Sequence, residues 1–127
     1  MIEVGRQLLE VLDRHKFRVR ACFWFYFEES ERWRFVVASA EARMGGPLAG
    51  YRRIGALTRK VPGAAELLGL DTTLLTDKDP LLACLRKAVP TDPKTGGTRL
   101  ARTWANGTFI AGAYIYRLPF RRKRASV

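Results

Sequence analysis

The pattern of apolar and polar positions changes period once within the first forty residues. Val4, Leu8, Val11 and Leu12 recur at helical spacing, with Arg6, Glu10, Asp13 and Arg14 between them. That spacing predicts an amphipathic helix over residues 2–15. From residue 17 the period becomes two. Phe17, Val19, Ala21, Phe23, Phe25 and Phe27 alternate with Arg18, Arg20, Cys22, Trp24 and Tyr26, the mark of a strand with two distinct faces. Glu28–Glu31 reads as a polar turn and residues 32–39 as a second β-run. A slip of one residue would move every side chain to the other face, so the loop length decides the hairpin. An odd loop sets Trp33, Phe35 and Val37 beside Phe23, Phe25 and Phe27, whereas an even loop opposes Arg32 and Arg34 to Phe27 and Phe25. The apolar pattern selects the odd loop. The opposite face then carries Arg18, Arg20, Trp24, Tyr26, Arg32 and Arg34.

Further along, Gly45-Gly46-Pro47 breaks the chain, and Pro47 suits the first position of a helix. Leu48, Tyr51, Ile54 and Leu57 form its expected buried stripe, while Arg52 with Arg59 and Arg53 with Lys60 make a basic flank. Pro62-Gly63 ends that helix, and residues 64–68 suggest one more helical turn closed by Gly69. Residues 71–76 are short and β-branched, a strand. Asp79-Pro80 is a cap followed by a first turn, opening a helix that turns Leu81, Leu82, Leu85 and Val89 inward, with Arg86 and Lys87 at the negative end of its dipole. Residues 90–97 read as a loop. The last hairpin pairs 98–104 with 108–118 around Asn106-Gly107, a type I′ turn signal that sets Trp104 opposite Phe109. The order αββαβαββ has no internal repeat and no long linker. It predicts an α/β fold of the α+β kind: one layered domain over residues 1–118, with helices on a mixed sheet of about five strands, and a basic tail over 119–127.

Composition agrees with a folded domain. Of 127 residues, 47% are hydrophobic and 28% charged, which excludes a wholly disordered chain. No apolar run reaches the ~18 residues that span a membrane, and residues 1–6 lack the basic-then-apolar pattern of a signal peptide. The expected location is the cytosol. Cys22 and Cys84 form no CxxC pair, and with His15 the only histidine no zinc set is expected. Buried, reduced thiols are the reading.

Charge changes the picture most. Twenty-three basic residues against 12 acidic give a net charge of +11. Seventeen of the basic residues are Arg and Ala occurs 15 times, which codon bias explains; codon bias does not explain the excess over acids. An electrostatic footprint for a polyanion does.

The run Phe23-Trp24-Phe25-Tyr26-Phe27-Glu28, the run Glu31-Arg32-Trp33-Arg34-Phe35-Val36-Val37-Ala38, Gly46-Pro47 with Tyr51-Arg52-Arg53-Ile54, and Asn106-Gly107 with Ala113-Tyr114-Ile115-Tyr116-Arg117-Leu118 resemble small uncharacterised bacterial α/β proteins. The resemblance covers residues 17–118 and implies an α/β fold; it implies no activity and no site residue.

The strongest candidate site is the basic and aromatic strand face. Trp24 and Tyr26 offer platforms for unpaired bases, and Arg18, Arg20, Arg32 and Arg34 offer partners for phosphates. The flank Arg52, Arg53, Arg59 and Lys60 adds a track for a nucleic-acid backbone, and Arg121–Arg124 a nonspecific hook. The function expected from this is nucleic-acid binding of low sequence specificity, without catalysis and with neither cofactor nor metal. The rivals are a protein-interaction or homodimerising subunit, which would dock through the same face, and a small metal-independent ribonuclease or toxin using His15 as acid–base. Glu28, Glu29 and Glu31 are clustered carboxylates of the kind nucleases use to hold metal ions, but they lie in a turn where glutamates face water. Asp77 and Asp79 read as helix-capping acceptors.

Overall fold

A computed structural model describes residues 2–42, 47–64, 72–89, 98–105 and 107–118. The expected turn over 64–68, the loop over 90–97, Asn106 and the tail over 119–127 lie wholly or largely outside the described residues. The strands are β1 (Val19–Phe27), β2 (Arg32–Ser39), β3 (Thr72–Leu75), β4 (Thr98–Ala105) and β5 (Thr108–Arg117). The helices are α1 (Ile2–Arg14), α2 (Pro47–Thr58) and α3 (Pro80–Ala88). All five strands join one mixed sheet in the order β3-β2-β1-β5-β4, with β2 and β3 parallel and the other neighbours antiparallel. This is a single α+β domain with helices packed on a sheet, as the order of elements predicts.

β1 lies in the middle, and both of its faces are covered. Leu8, Leu9, Val11 and Leu12 of α1, with Ile54 and Leu57 of α2, pack on Phe17, Val19, Cys22, Trp24, Phe35 and Val37. Leu82 and Leu85 of α3, with Val89, pack on Ala21, Phe23, Phe25, Val36, Ala38, Ile110, Ala113 and Ile115. The ends of α1 and α3 follow local rules. α1 closes with Lys16 at φ 59, where Phe17 N–H donates to Leu12 O at 2.9 Å and Lys16 N–H to Asp13 O at 3.0 Å. This Schellman closure drops Phe17 straight into the core. α3 opens as expected: the Asp79 carboxylate accepts from Leu81 N–H at 2.9 Å, and Pro80 occupies the first turn.

Two sequence expectations fail on β1 and β2. The strict alternation from Phe17 to Phe27 breaks at a bulge between Val19 and Ala21. Phe17 and Val19 therefore join Cys22 and Trp24 in one core, while Ala21, Phe23 and Phe25 belong to the other. A bulge adds one residue to one strand and shifts all that precedes it by one face. The hairpin also takes the even loop: Phe27 pairs with Arg32, Phe25 with Arg34, Tyr26 with Trp33 and Trp24 with Phe35. The turn closes with Glu31 at φ 54, its N–H donating to Glu28 O at 3.2 Å. The apolar pattern could not discriminate, because β2 buries Phe35 and Val37 on one side and Val36 and Ala38 on the other. Arg34 escapes the expected charge burial by reaching sideways. Its Nε donates to Thr73 Oγ1 at 2.6 Å on β3, and its Nη2 to Thr72 O at 3.4 Å.

The stripe of α2 is also shorter than expected. Ile54 and Leu57 are buried, but Leu48 and Tyr51 are exposed. Tyr51 accepts at its hydroxyl from Leu74 N–H at 2.8 Å instead. In the last hairpin Trp104 pairs with Phe109 as predicted, and Gly107 has the positive φ of 78° that its turn needs.

Candidate functional site

Trp24 stands under α1, not on an open face. Its indole is 3% exposed, packs edge-on to Phe35 at 5.3 Å, and donates from Nε1 to the Tyr116 hydroxyl at 3.0 Å. Tyr116 in turn donates to the Ile2 carbonyl at 2.6 Å, which pins the first turn of the helix over the ring. Burial raises the Tyr116 phenol well above its ordinary range, so it remains a donor. The approach is close because residue 5 is glycine. A Cβ there would meet the Tyr116 hydroxyl and would lie 2.9 Å from both Phe35 Cε1 and Trp24 Nε1. The expectation that Trp24 stacks on bases is thereby overturned: α1 covers it, and its one polar atom is already bonded.

The same face continues beyond the helix, and there it is open. Across the sheet one row runs Phe35, Trp24, Tyr114 and Arg99, and the next pairs Trp33 with Tyr26. Tyr26 and Tyr114 are half-buried, whereas Trp33 is 43% exposed. Trp33 meets Tyr26 edge-on at 5.5 Å, and its tip reaches Gly112 on β5. A Cβ at Gly112 would sit 2.8 Å from Trp33 Cη2. Arg99 Cζ lies 5.3 Å from the centre of the Tyr114 ring, within cation–π reach. Ile2, Trp24, Trp33, Tyr114 and Arg99 line an open cavity of about 180 Å³.

The β4–β5 hairpin extends this surface. Pairing of β5 with β1 runs from Arg117 to Ala113, whereas its pairing with β4 continues to Thr108. Arg102 has φ 47, and there the alternation on β4 slips by one residue. Leu100, Thr103 and Ala105 stand opposite Ala113, Ile110 and Thr108 on the side of α3, where Cys84 Sγ meets Thr108 Oγ1 at 3.5 Å. That leaves Trp104 and Phe109, 5.1 Å apart, on the bare side. Trp104 is 71% exposed. No rule of residue spacing pointed to Arg99, Trp33 or Gly112 as site residues. The signal that could have found Trp33 was the loop count of four residues, Glu28–Glu31, read literally.

The basic residues singled out in the sequence do not share one surface. Arg18 and Arg20 are exposed at the start of β1, roughly 20 Å of strand away from Tyr26. Arg32 and Arg34 fall on the opposite side of the sheet from Trp33. Arg53 leaves the expected flank and packs inward: it bonds Glu41 Oε1 at 2.7 Å and the His15 carbonyl at 2.5 Å, with its guanidinium 5.3 Å from the Phe17 ring centre. Arg52 on α2 and Arg59 and Lys60 just past its end are exposed. His15 lies at the far end of α1 from the aromatic cavity, roughly 20 Å along the helix. Glu28, Glu29 and Glu31 are exposed in the β1–β2 turn.

Among the described residues, no three His, Cys, Asp or Glu side chains stand together as a metal site, and no helix is long and apolar enough to cross a membrane. Cys22 and Cys84 are buried free thiols, and burial pushes the Cys22 thiol up, so it stays protonated and unreactive. No family model matches the chain, and no match was found among curated proteins or solved structures.

Proposed function

We propose that this chain is a nucleic-acid-binding domain of low sequence specificity that acts by binding, not by catalysis. The observation that carries the reading is the bare aromatic sheet face around Trp33, beside Arg99, on a chain with a net charge of +11. The proposed contact set differs from that expected from sequence. Trp33, Tyr26 and Tyr114 replace Trp24 as platforms, and Arg99 with Arg102 on the edge strand β4 replaces Arg32 and Arg34 as the nearest cations. Arg18, Arg20, Arg52, Arg59 and Lys60 are exposed elsewhere on the chain and contribute attraction at longer range. Binding to a labelled oligonucleotide, measured by fluorescence anisotropy, should weaken steeply with salt, with a log–log slope of roughly −0.7 to −0.9 for each phosphate neutralised. Absence of binding at low salt removes the proposal.

A second reading, docking of a partner or of a second copy, is favoured by one observation: Trp104, on the outer strand β4, is 71% exposed. Self-pairing of β4 would bring Arg99 and Arg102 toward their own copies, which like charges oppose. A dimer boundary in sedimentation velocity that vanishes in Trp104→Glu would establish this reading over the first.

A further inference from the structure

We infer that the cavity between the start of α1 and the open sheet receives one unpaired nucleobase, and that the protein consequently selects single strands over duplex. The inference rests on the nucleic-acid reading above and narrows it to a substrate class.

The cavity is lined by three aromatic side chains with Ile2 and Arg99. Trp24 touches it only at an edge, being 3% exposed with its indole N–H already given to Tyr116. The stacking face belongs to Trp33, 43% exposed, and a π-face accepts any base without reading its edges. Trp33 is held ready for that role. Its tip rests against the backbone at Gly112, where no side chain intervenes, and Tyr26 abuts it edge-on. An ordered ring loses little freedom when a ligand stacks on it.

Charge around the cavity has a direction. Arg99 stands at the rim, and Arg102 is exposed further along the same edge strand. The carboxylates Glu28, Glu29 and Glu31 occupy the turn on the other side of Trp33. A phosphodiester chain is therefore drawn to β4 and kept away from the β1–β2 turn, with its bases turned inward. A duplex keeps its base faces stacked on one another, so none reaches Trp33 unless a pair opens.

The test compares four probes of equal length at low salt by fluorescence anisotropy: single-stranded DNA, single-stranded RNA of the same sequence, their duplex DNA counterpart, and an abasic strand carrying phosphates without bases. Both base-bearing single strands should bind roughly tenfold tighter than the duplex or the abasic strand. Trp33→Ala should lower them to the abasic level and leave abasic binding unchanged, and Gly112→Val, which displaces the indole, should do the same. The DNA and RNA arms then assign the source of the base. Abasic and base-bearing strands bound alike would overturn the inference while leaving the polyanion reading in place. That comparison uses the unaltered protein and so does not depend on how a variant folds. No binding of any probe would overturn both.

Discussion

Trp24 and Trp33 stand on the same face of the same sheet, in adjacent rows of neighbouring strands, yet one is covered and the other open. Trp24 is 3% exposed, and Trp33 43%. The difference lies in where α1 begins. Its first turn, tied by Tyr116 to Ile2, sits over Trp24 and stops short of the next row. A ring beneath a helix contributes to stability through the water it loses and the neighbours it gains; a ring past the helix end keeps its surface for a ligand. Residue type and strand position are alike in the two, so neither tells which ring is exposed.

The comparison is broken most forcefully by truncating each ring in turn. Trp24→Ala should cost about 3–5 kcal/mol, as removal of a large buried aromatic does, and Trp33→Ala within about 1 kcal/mol. Equilibrium urea denaturation checks both. Oligonucleotide affinity should order the pair the other way, with Trp33→Ala losing binding at a stability near the parent's. Equal destabilisation by the two substitutions would mean that the open face is covered by something in solution.

A smaller effect is expected where α1 touches the sheet. Gly5→Val places a branched side chain against Phe35, Trp24 and Tyr116. Overpacking of this kind costs about 1–3 kcal/mol, and lifting the helix should let acrylamide quench Trp24, whose emission is shielded in the parent. A milder change at the same contact is Tyr116→Phe. It removes the acceptor for a buried indole N–H and the donor to Ile2, a loss of about 1–2 kcal/mol. Thermal denaturation would read it. Unchanged stability in Tyr116→Phe would show that the hydroxyl relay does not hold the helix start.

The two glycines sharpen the same contrast. At Gly5 the missing side chain lets a helix come down on Trp24, and at Gly112 it lets Trp33 lie against a neighbouring strand. Neither glycine has a signature in sequence, since the requirement comes from a residue many positions away. The salt-bridged Arg117 shows the same distance effect. Its guanidinium clasps Asp13 through bonds of 2.9 Å and 2.7 Å and bonds the Val19 carbonyl at 3.1 Å, joining the end of α1 to the last strand. The Asp13 carboxylate is also what raises the Arg117 pKa above its ordinary value.

By itself the sequence determined what depends on near neighbours. Helical spacing in α1, the Asp79-Pro80 start of α3, the bounds of β2, and the Trp104–Phe109 pairing around Gly107 all follow from residues within a few positions of one another, and each stands in the structure. The tertiary structure alone decided which face each strand residue takes. A single bulge near Arg20 and a four-residue turn at Glu28–Glu31 each shift parity by one, and neither changes the apolar pattern of a central strand buried on both sides. With parity went the β2 residues, Arg32 and Arg34 to the far face and Trp33 to the open one, while Trp24 kept its expected face and was covered there by α1. Local propensity is set by the chain's own geometry, but exposure is set by what a distant helix covers, and that length is fixed only when the helix meets the sheet.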